Sequence, residues 1–207
     1  MHDPRDNDQG TGQPARVIRL AAVCVGIVLG FGAVANAQED PGRFEVRSAN
    51  AGLDGGSEVY FLDARLELRL SSEAREALES GLPLSIRVEV EIIHVRRYLL
   101  DRENASLTQL YALQYHPLLE RYTVRNVNSG TLDTFATLFA ALNYLGRIDQ
   151  LPLIDRALLD PERLYDIRLR VLLDTEQLPG PLRLLAFWRR DWSLGSEWYR
   201  WSLEEED

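Results

Sequence analysis

Several segments of the chain alternate apolar and polar residues. In "EVYFLDARLELRL", which begins at Glu58, every second residue from Tyr60 to Leu70 is apolar, and most residues between them are charged. The same pattern occurs in "LPLSIRVEVEI" from Leu82 and in "LYDIRLRVLLD" from Leu164. Because side chains on a strand point alternately to its two faces, this period of two predicts strands that bury one face and expose the other.

Other segments extend the predicted sheets. We predict further strands at "LTQLYALQYH" and "ERYTVRNV", a hairpin turn at "NSG" (residues 128–130), and closing strands at "LRLLAFW" and "EWYRWSL". In the strand that begins near Leu82 the apolar phase shifts between Ile92 and Ile93, so that His94 becomes a polar position. This shift predicts a β-bulge or a change of sheet there.

Helical spacing of apolar residues is confined to short segments. "SSEAREALESG" predicts one helix, capped by Ser72 and ended by Gly81, and "TFATLFAALNYLG" predicts a second, capped by Thr134 and ended by Gly146. "LPLIDRALL" predicts a helical turn. These patterns together predict a mainly β fold with short helical insertions, an antiparallel β-sandwich, with an immunoglobulin-like arrangement as one form of it.

The N-terminal residues have the pattern of an export signal. Arg16 and Arg19 precede an apolar run that closes on the small residues "ANA", and this run is shorter than the roughly 20 residues that span a bilayer. We therefore expect cleavage after Ala37 and a periplasmic protein. The alternative is an uncleaved inner-membrane anchor formed by residues 17–35. Cleavage removes Cys24, the single cysteine, so no disulfide or thiolate site is expected in the mature chain.

The chain divides into four predicted parts. Residues 1–37 are the signal peptide. Small and polar residues dominate residues 38–57, which we predict to be a flexible N-terminal segment, with only the brief "RFEV" able to pair as an edge strand. Residues 58–203 are predicted to form a single β-sandwich domain, and residues 204–207 a solvated acidic tail.

The net negative charge of the chain argues against nucleic acid as a partner. The chain has 32 acidic and 23 basic residues and a formal net charge of -9, the opposite of what a phosphate-binding surface needs. We therefore predict no binding of nucleic acid.

Motifs that carry catalysis or bind metals are not found in the sequence. It contains no GxSxG, no HExxH, no glycine-rich phosphate loop and no calcium loop. Outside the leader the histidines are His94 and His116, which we interpret as surface or capping residues. Glu89 and Glu91 could form a glycosidase pair, but arginines at strand spacing favour cross-strand ion pairs. We therefore predict no catalytic residue, no metal site, no cofactor and no enzymatic activity.

Aromatic residues are concentrated near the C-terminus, where "DWSLGSEWYRW" contains three of the four tryptophans. Alternation places Tyr199 and Trp201 on one face, which we predict to close the core, and Trp198 on the other face. Tryptophan and arginine together are enriched in binding hot spots, which favours a binding surface over the alternative of a membrane-interface belt. The candidate partner or ligand surface consists of Trp188, Arg189, Arg190, Trp192, Trp198 and Arg200.

Two long segments carry a resemblance to a known family. These are "LRLSSEAREALESGLPLSIRVEVEI" and the stretch from "RYTVRNVNSG" through "LGRIDQLPLIDRALL" and "LRVLLD" to "SEWYRW". They resemble a proteobacterial family of exported proteins called domain of unknown function 4390, over nearly the whole mature chain. The resemblance implies no activity and no site residues. Members are often encoded beside a membrane sensor kinase, which implies such a kinase as an inner-membrane partner.

These features favour an exported, non-enzymatic binding or accessory module for an envelope partner. The alternative is a periplasmic carrier of a lipid or glycan ligand, which would need a closed apolar cavity in the sandwich. A third alternative, a hydrolase, requires His94 and His116 to approach a serine and a carboxylate.

Overall fold

The computed structural model describes residues 40–95, 102–176 and 192–203. In these residues the chain forms nine β-strands, two α-helices and a 3-10 turn. In chain order they are β1 (Arg43–Leu53), β2 (Val59–Arg69), α1 (Ser72–Glu79), β3 (Leu84–His94), β4 (Arg102–His116), β5 (Arg121–Asn126), β6 (Leu132–Phe135), α2 (Leu138–Leu145), β7 (Arg147–Asp155), the 3-10 turn (Arg156–Leu158), β8 (Tyr165–Asp174) and β9 (Tyr199–Ser202).

The strands form two antiparallel sheets. The smaller sheet has the order β1-β2-β7, and the larger has the order β6-β5-β4-β3-β8-β9. The molecule is therefore the mainly β sandwich that the alternation predicts. Four consecutive strands, β3 to β6, lie side by side as a meander, whereas immunoglobulin sheets place their strands in the orders ABED and CFG. The immunoglobulin-like form of the prediction thus does not describe the strand order.

A single hydrophobic core joins the two sheets. It is built from the apolar positions of the alternating strands, for example Leu62 of β2, Val88 of β3 and Leu169 of β8, which are each at most 1 % exposed. Full burial of one such side chain stabilises the fold by about 1.5–3 kcal/mol. The intervening positions of the same strands form the outer, charged faces of the sheets.

The predicted flexible segment is wrong for most of its length. Residues 43–53 form β1, which pairs along its length with β2, and Phe44 and Val46 are buried in the core. The full strand is not evident from the sequence, because its second half has small side chains and because a register shift between Val46 and Ser48 interrupts the alternation. Pairing with β2, which is not visible locally, makes the segment a strand.

Both helices exist, with corrected starts. The cap of α1 is Ser71 rather than Ser72, since the Ser71 hydroxyl accepts a hydrogen bond from the Ala74 N–H at 3.2 Å. The cap of α2 is Thr137, whose hydroxyl accepts from the Ala140 N–H at 3.1 Å. The predicted cap Thr134 lies instead in β6, which pairs with β5 and so takes these residues out of the helix.

The remaining local predictions have mixed outcomes. "LPLIDRALL" is not one helical turn, because its first half belongs to β7, which pairs with β2, and only residues 156–158 are helical. The bulge between Ile92 and Ile93 is confirmed by the register shift between β3 and β4. The hairpin at residues 128–130 is also confirmed, with Gly130 at φ 79° between β5 and β6.

Three predicted parts lie outside the described residues. They are the signal peptide of residues 1–37, the strand "LRLLAFW" and the acidic tail of residues 204–207. In the part of the chain that the structure describes, neither helix is long and apolar enough to cross a membrane.

Candidate functional site

The structure brings together only part of the candidate partner or ligand surface that the sequence predicts. Trp188, Arg189 and Arg190 lie outside the described residues. Trp192 is 6 % exposed and belongs to the core, so its assignment to a binding surface is wrong. Trp198 and Arg200, at the edge of the larger sheet, are the members of the predicted set that the structure brings together.

The register of β9 on β8 decides which way these side chains face. Arg168 lies opposite Arg200, and Leu169 lies opposite Tyr199. Odd-numbered residues of β9 therefore share the core face with Leu169, and even-numbered residues share the charged outer face. Trp201 packs against the core as the alternation predicts, while Tyr199 stays 36 % exposed at the sheet edge.

Trp198 immediately precedes β9 and is held by two arginines of β8. The guanidinium carbons of Arg168 and Arg170 lie 4.4 Å and 4.3 Å from the centroid of the Trp198 ring. The negative face of an aromatic ring attracts such cations, most strongly for tryptophan. Two of these contacts fix the orientation of an indole that is still partly exposed.

Carboxylates on β3 hold the same arginines from the other side. Glu91 accepts hydrogen bonds from Arg168, and Glu89 accepts from Arg170 at 2.6 Å. The cross-strand ion pairs predicted for Glu89 and Glu91 are therefore confirmed. Each arginine thus lies between a carboxylate and the indole. The row of ion pairs between β3 and β8 therefore carries little net charge.

A third ion pair continues the row onto β9. The Nε of Arg200 donates to the carboxylate of Asp166 at 2.7 Å, and Ser202 donates to the other oxygen of Asp166 at 3.0 Å. The partners of Trp198 thus come from β8, and the partners of those arginines come from β3. We name the set formed by Trp198, Arg168, Arg170 and Arg200 the Trp198 surface.

The opposite end of the row is more deeply buried. Arg87 of β3 donates to Asp174 of β8, whose side chain is only 2 % exposed. Partial burial by itself lowers the pKa of Arg87, but the hydrogen bond and charge of Asp174, with Glu89 and Glu176 nearby, raise that pKa by more. Arg87 therefore stays charged at ordinary pH.

A cleft of about 440 Å³ opens beside the Trp198 surface. Its lining residues include Phe44 and Glu45 of β1, Gly195 and Trp198. The cleft thus brings both apolar and charged residues next to the fixed indole. This combination suits a protein side chain better than a free ion.

The two histidines do not share a site. His94 lies against the ring of Tyr165, with 5.7 Å between centroids, and pairs with Arg102 at the first residue of β4. His116 is the last residue of β4 and its Nε2 lies 3.1 Å from the Thr123 hydroxyl. At about 3.3 Å per strand residue, the length of β4 separates them by roughly 45 Å. The arrangement required by the hydrolase alternative, with both histidines at one centre, is therefore contradicted.

Metal-binding groups are scattered in the described residues. Over residues 40–95, 102–176 and 192–203 no group of three or more histidine, cysteine, aspartate or glutamate side chains is placed to hold an ion.

Sequence reasoning missed Arg168 and Arg170 as parts of this surface. Both were recognised as polar positions of a strand, but their contact with Trp198 depends on β9 pairing with β8 across a long connection. The available signal was the spacing of Trp198 and Arg200, two residues apart and hence on one face, which matches the spacing of Arg168 and Arg170.

Comparison with known proteins gives one match. A family model described as "Domain of unknown function (DUF4390)" matches residues 42–202. No curated protein and no solved structure matches the chain.

Proposed function

Since the chain belongs to the family described as a domain of unknown function (DUF4390), a function must be argued from its site, and we propose that it is an exported, non-enzymatic binding module for a partner protein of the cell envelope. The Trp198 surface is the part of the protein that contacts this partner. The resemblance to exported proteins encoded beside sensor kinases makes an inner-membrane sensor kinase the first partner to test.

One observation supports this proposal above the others: a partly exposed tryptophan is fixed in place by two stacked arginines before any partner arrives. Interfaces draw most of their affinity from a few tryptophan, tyrosine and arginine side chains. Ordering a side chain on binding costs conformational entropy, and a pre-ordered indole avoids much of that cost. The adjacent cleft of about 440 Å³ offers a place for a side chain of the partner.

The charge pattern supports a protein partner rather than a charged small ligand. Every arginine of the Trp198 surface is engaged by a carboxylate: Arg200 by Asp166, Arg168 by Glu91 and Arg170 by Glu89. A phosphate or carboxylate ligand would have to displace these partners. An aromatic or aliphatic side chain can pack on the indole and leave the ion pairs in place.

Substitution of Trp198 tests the proposal. In cells that express the tagged full-length protein, in-cell cross-linking should recover a complex with an envelope protein, and Trp198→Ala should lower its yield about tenfold or more, as expected for a hot spot. Phe139→Ala is the matched control, because Phe139 is an aromatic residue that is 76 % exposed on α2, away from this surface. Equal complex yields in wild type and Trp198→Ala would contradict the proposal.

Export is tested separately. The protein isolated from the periplasmic fraction should begin at Gln38 on N-terminal sequencing. A full-length chain retained in the inner-membrane fraction would instead support the anchor formed by residues 17–35.

A further inference from the structure

The two sheets end in unpaired strands on the same side of the sandwich. In the described residues β1 is an edge of the smaller sheet and β9 is an edge of the larger one. Between them lies a cleft of about 590 Å³, lined by Ala49, Ala51, Tyr60, Trp201 and Ser202 among others. We name it the edge cleft; it is separate from the cleft beside Trp198.

Small side chains on β1 leave this cleft unfilled. The first half of β1 puts Phe44 and Val46 into the core, but beyond the register shift two of the three core-facing positions, Ala49 and Ala51, are alanines and only Leu53 is larger. Ala49 also pairs with another alanine, Ala64 of β2. Two alanines on β1 therefore stand where larger residues would close the sandwich.

The lining of the edge cleft has no charged side chain. Five consecutive residues of β1, 49–53, contribute to it, together with Tyr60, Trp201 and Ser202. A run of five consecutive strand residues brings backbone as well as side chains to the wall. The β1 edge facing away from β2 carries N–H and C=O groups that no described strand pairs.

Trp201 adds an unused hydrogen-bond donor. Its Nε1–H is buried and has no acceptor among the residues that the structure describes. Buried polar groups are nearly always hydrogen-bonded, so an isolated donor requires an explanation. An acceptor that enters beside the indole would recover the free energy lost by leaving this N–H unpaired.

We propose that the edge cleft takes an extended, uncharged peptide segment of the binding partner. The segment adds as a strand to the free edge of β1 at residues 49–53 and places an apolar side chain between Ala51 and Trp201. One of its main-chain carbonyls accepts from Trp201 Nε1. Strand addition of this kind takes affinity from backbone hydrogen bonds and specificity from pockets for alternate side chains. The inference rests on the proposed function, because it names the part of the partner that binds.

The uncharged lining favours this occupant over two others. A charged ligand would lose water without gaining an ion pair. A lipid or glycan carrier needs an enclosed cavity, whereas this cleft lies between two strand edges at the side of the sandwich. An uncharged amphiphile remains an alternative occupant that the experiment must separate from a peptide.

Selection from a displayed library of short random peptides on the full-length protein tests the inference. We expect enrichment of uncharged sequences with alternating β-branched or aromatic residues. The best peptide, titrated into ¹⁵N-labelled protein, should shift the Trp201 indole signal, which is identified as the indole signal missing from Trp201→Phe. Enrichment of charged or helix-forming peptides, or no enrichment, would overturn the inference.

Two variants and matched controls locate the site. Ala49→Leu should weaken the selected peptide about tenfold by filling the cleft, and Trp201→Phe should weaken it roughly threefold to tenfold by removing the donor. Ala77→Leu, the same change at a half-buried alanine of α1, and Phe139→Ala, at an exposed aromatic residue of α2, should leave peptide affinity unchanged. Thermal melts check that each variant is folded, and the Ala49→Leu result stands alone if Trp201→Phe is unstable.

The outcomes separate this inference from the proposed function. Peptide binding that Ala49→Leu does not alter, or a Trp201 shift caused by dodecyl maltoside and by no peptide, would overturn the inference alone. Absence of any envelope complex in cells, with peptide binding intact, would contradict the proposed function alone.

Discussion

Asp174 is a charged side chain buried to 3 % exposure, and its surroundings explain why it is there. One carboxylate oxygen accepts from Arg87, and the other accepts from the Glu176 N–H at 3.0 Å, which shapes the turn after β8. A buried carboxylate is tolerated only when such partners replace water. Asp174 thus ties β3, β8 and the following turn together.

Asp174→Asn should therefore lower the free energy of unfolding by about 1–2 kcal/mol, because it removes the charge that Arg87 faces. Asp149→Asn is the matched control: Asp149 pairs with Arg65 at 2.7 Å, but both side chains are at least 50 % exposed. The control should change stability by less than about 0.5 kcal/mol. Urea denaturation measures both, and equal losses would contradict this account of Asp174.

Helix α2 is held to the sheets at two points near its C-terminal end. The Gly146 carbonyl accepts from the Leu66 N–H of β2 at 2.8 Å, and a Cβ on Gly146 would lie only 2.5 Å from the Leu66 oxygen. This close approach explains the glycine. On the other side the Tyr144 hydroxyl donates to Asp133 of β6 at 2.6 Å.

The Tyr144 contact predicts a pH dependence of stability. The hydrogen bond to Asp133, with lesser contributions from burial and from the charge of Asp133, raises the pKa of Tyr144 from 10.0 to about 12. A raised pKa in the folded state stabilises the protein below the unfolded pKa, and this contribution is lost as pH rises from 10.0 toward about 12. Because Tyr144 is 42 % exposed, solvent screening keeps the effect small.

Tyr144→Phe should remove this part of the alkaline loss. We expect the difference in melting temperature between wild type and Tyr144→Phe to be largest below pH 10 and to vanish near pH 12. Calorimetry across that range measures it. A difference that stays constant with pH would show that Tyr144 contributes only packing.

At the scale of the whole molecule, β1 completes the smaller sheet and closes one side of the core. It supplies the buried side chains Phe44, Val46 and Ala51 and covers the core residues of β2. Its outer edge is also the wall of the edge cleft. Folding and the inferred peptide site therefore depend on the same strand.

Truncation tests this role. A chain that begins at Asp40 should unfold cooperatively, while one that begins at Ser57 should not, because it loses Phe44 and Val46, worth about 1.5–3 kcal/mol each, and the whole ladder with β2. Circular dichroism melts and hydrogen exchange of the β2 amides measure the outcome. Cooperative unfolding of the shorter chain would restore the flexible-segment prediction for residues 38–57.

Local periodicity predicted much of the fold. The sequence predicted β2, β3 and β8 because a strand with one buried and one solvent-exposed face has apolar residues at every second position. The bulge near Ile92 was predicted from a change in the phase of this alternation. Beyond its first residues, "RFEV", β1 was missed, as were β6 and the first half of β7, since their side chains are small or irregular and only pairing with a neighbour makes them strands. The helix start at Thr134 failed for the same reason.

The candidate site was predicted in part. Trp198 and Arg200 lie on one face because they are two residues apart where the chain enters β9, and the sequence is sufficient to predict that. Arg168 and Arg170 joined them only through the pairing of β8 with β9. Trp192 is not part of this surface because it packs into the core, and no local pattern in the sequence predicted its burial.

The sequence by itself determined the fold class, the family and the charged outer faces of the sheets. It could do so because alternation, composition and turn residues are visible within short stretches of neighbouring residues. Only the tertiary structure decided that Trp198 is stacked on two arginines and that β1 and β9 end side by side around an unfilled cleft. Those features arise from strand pairings between distant residues, whose partners are fixed by packing of the whole core.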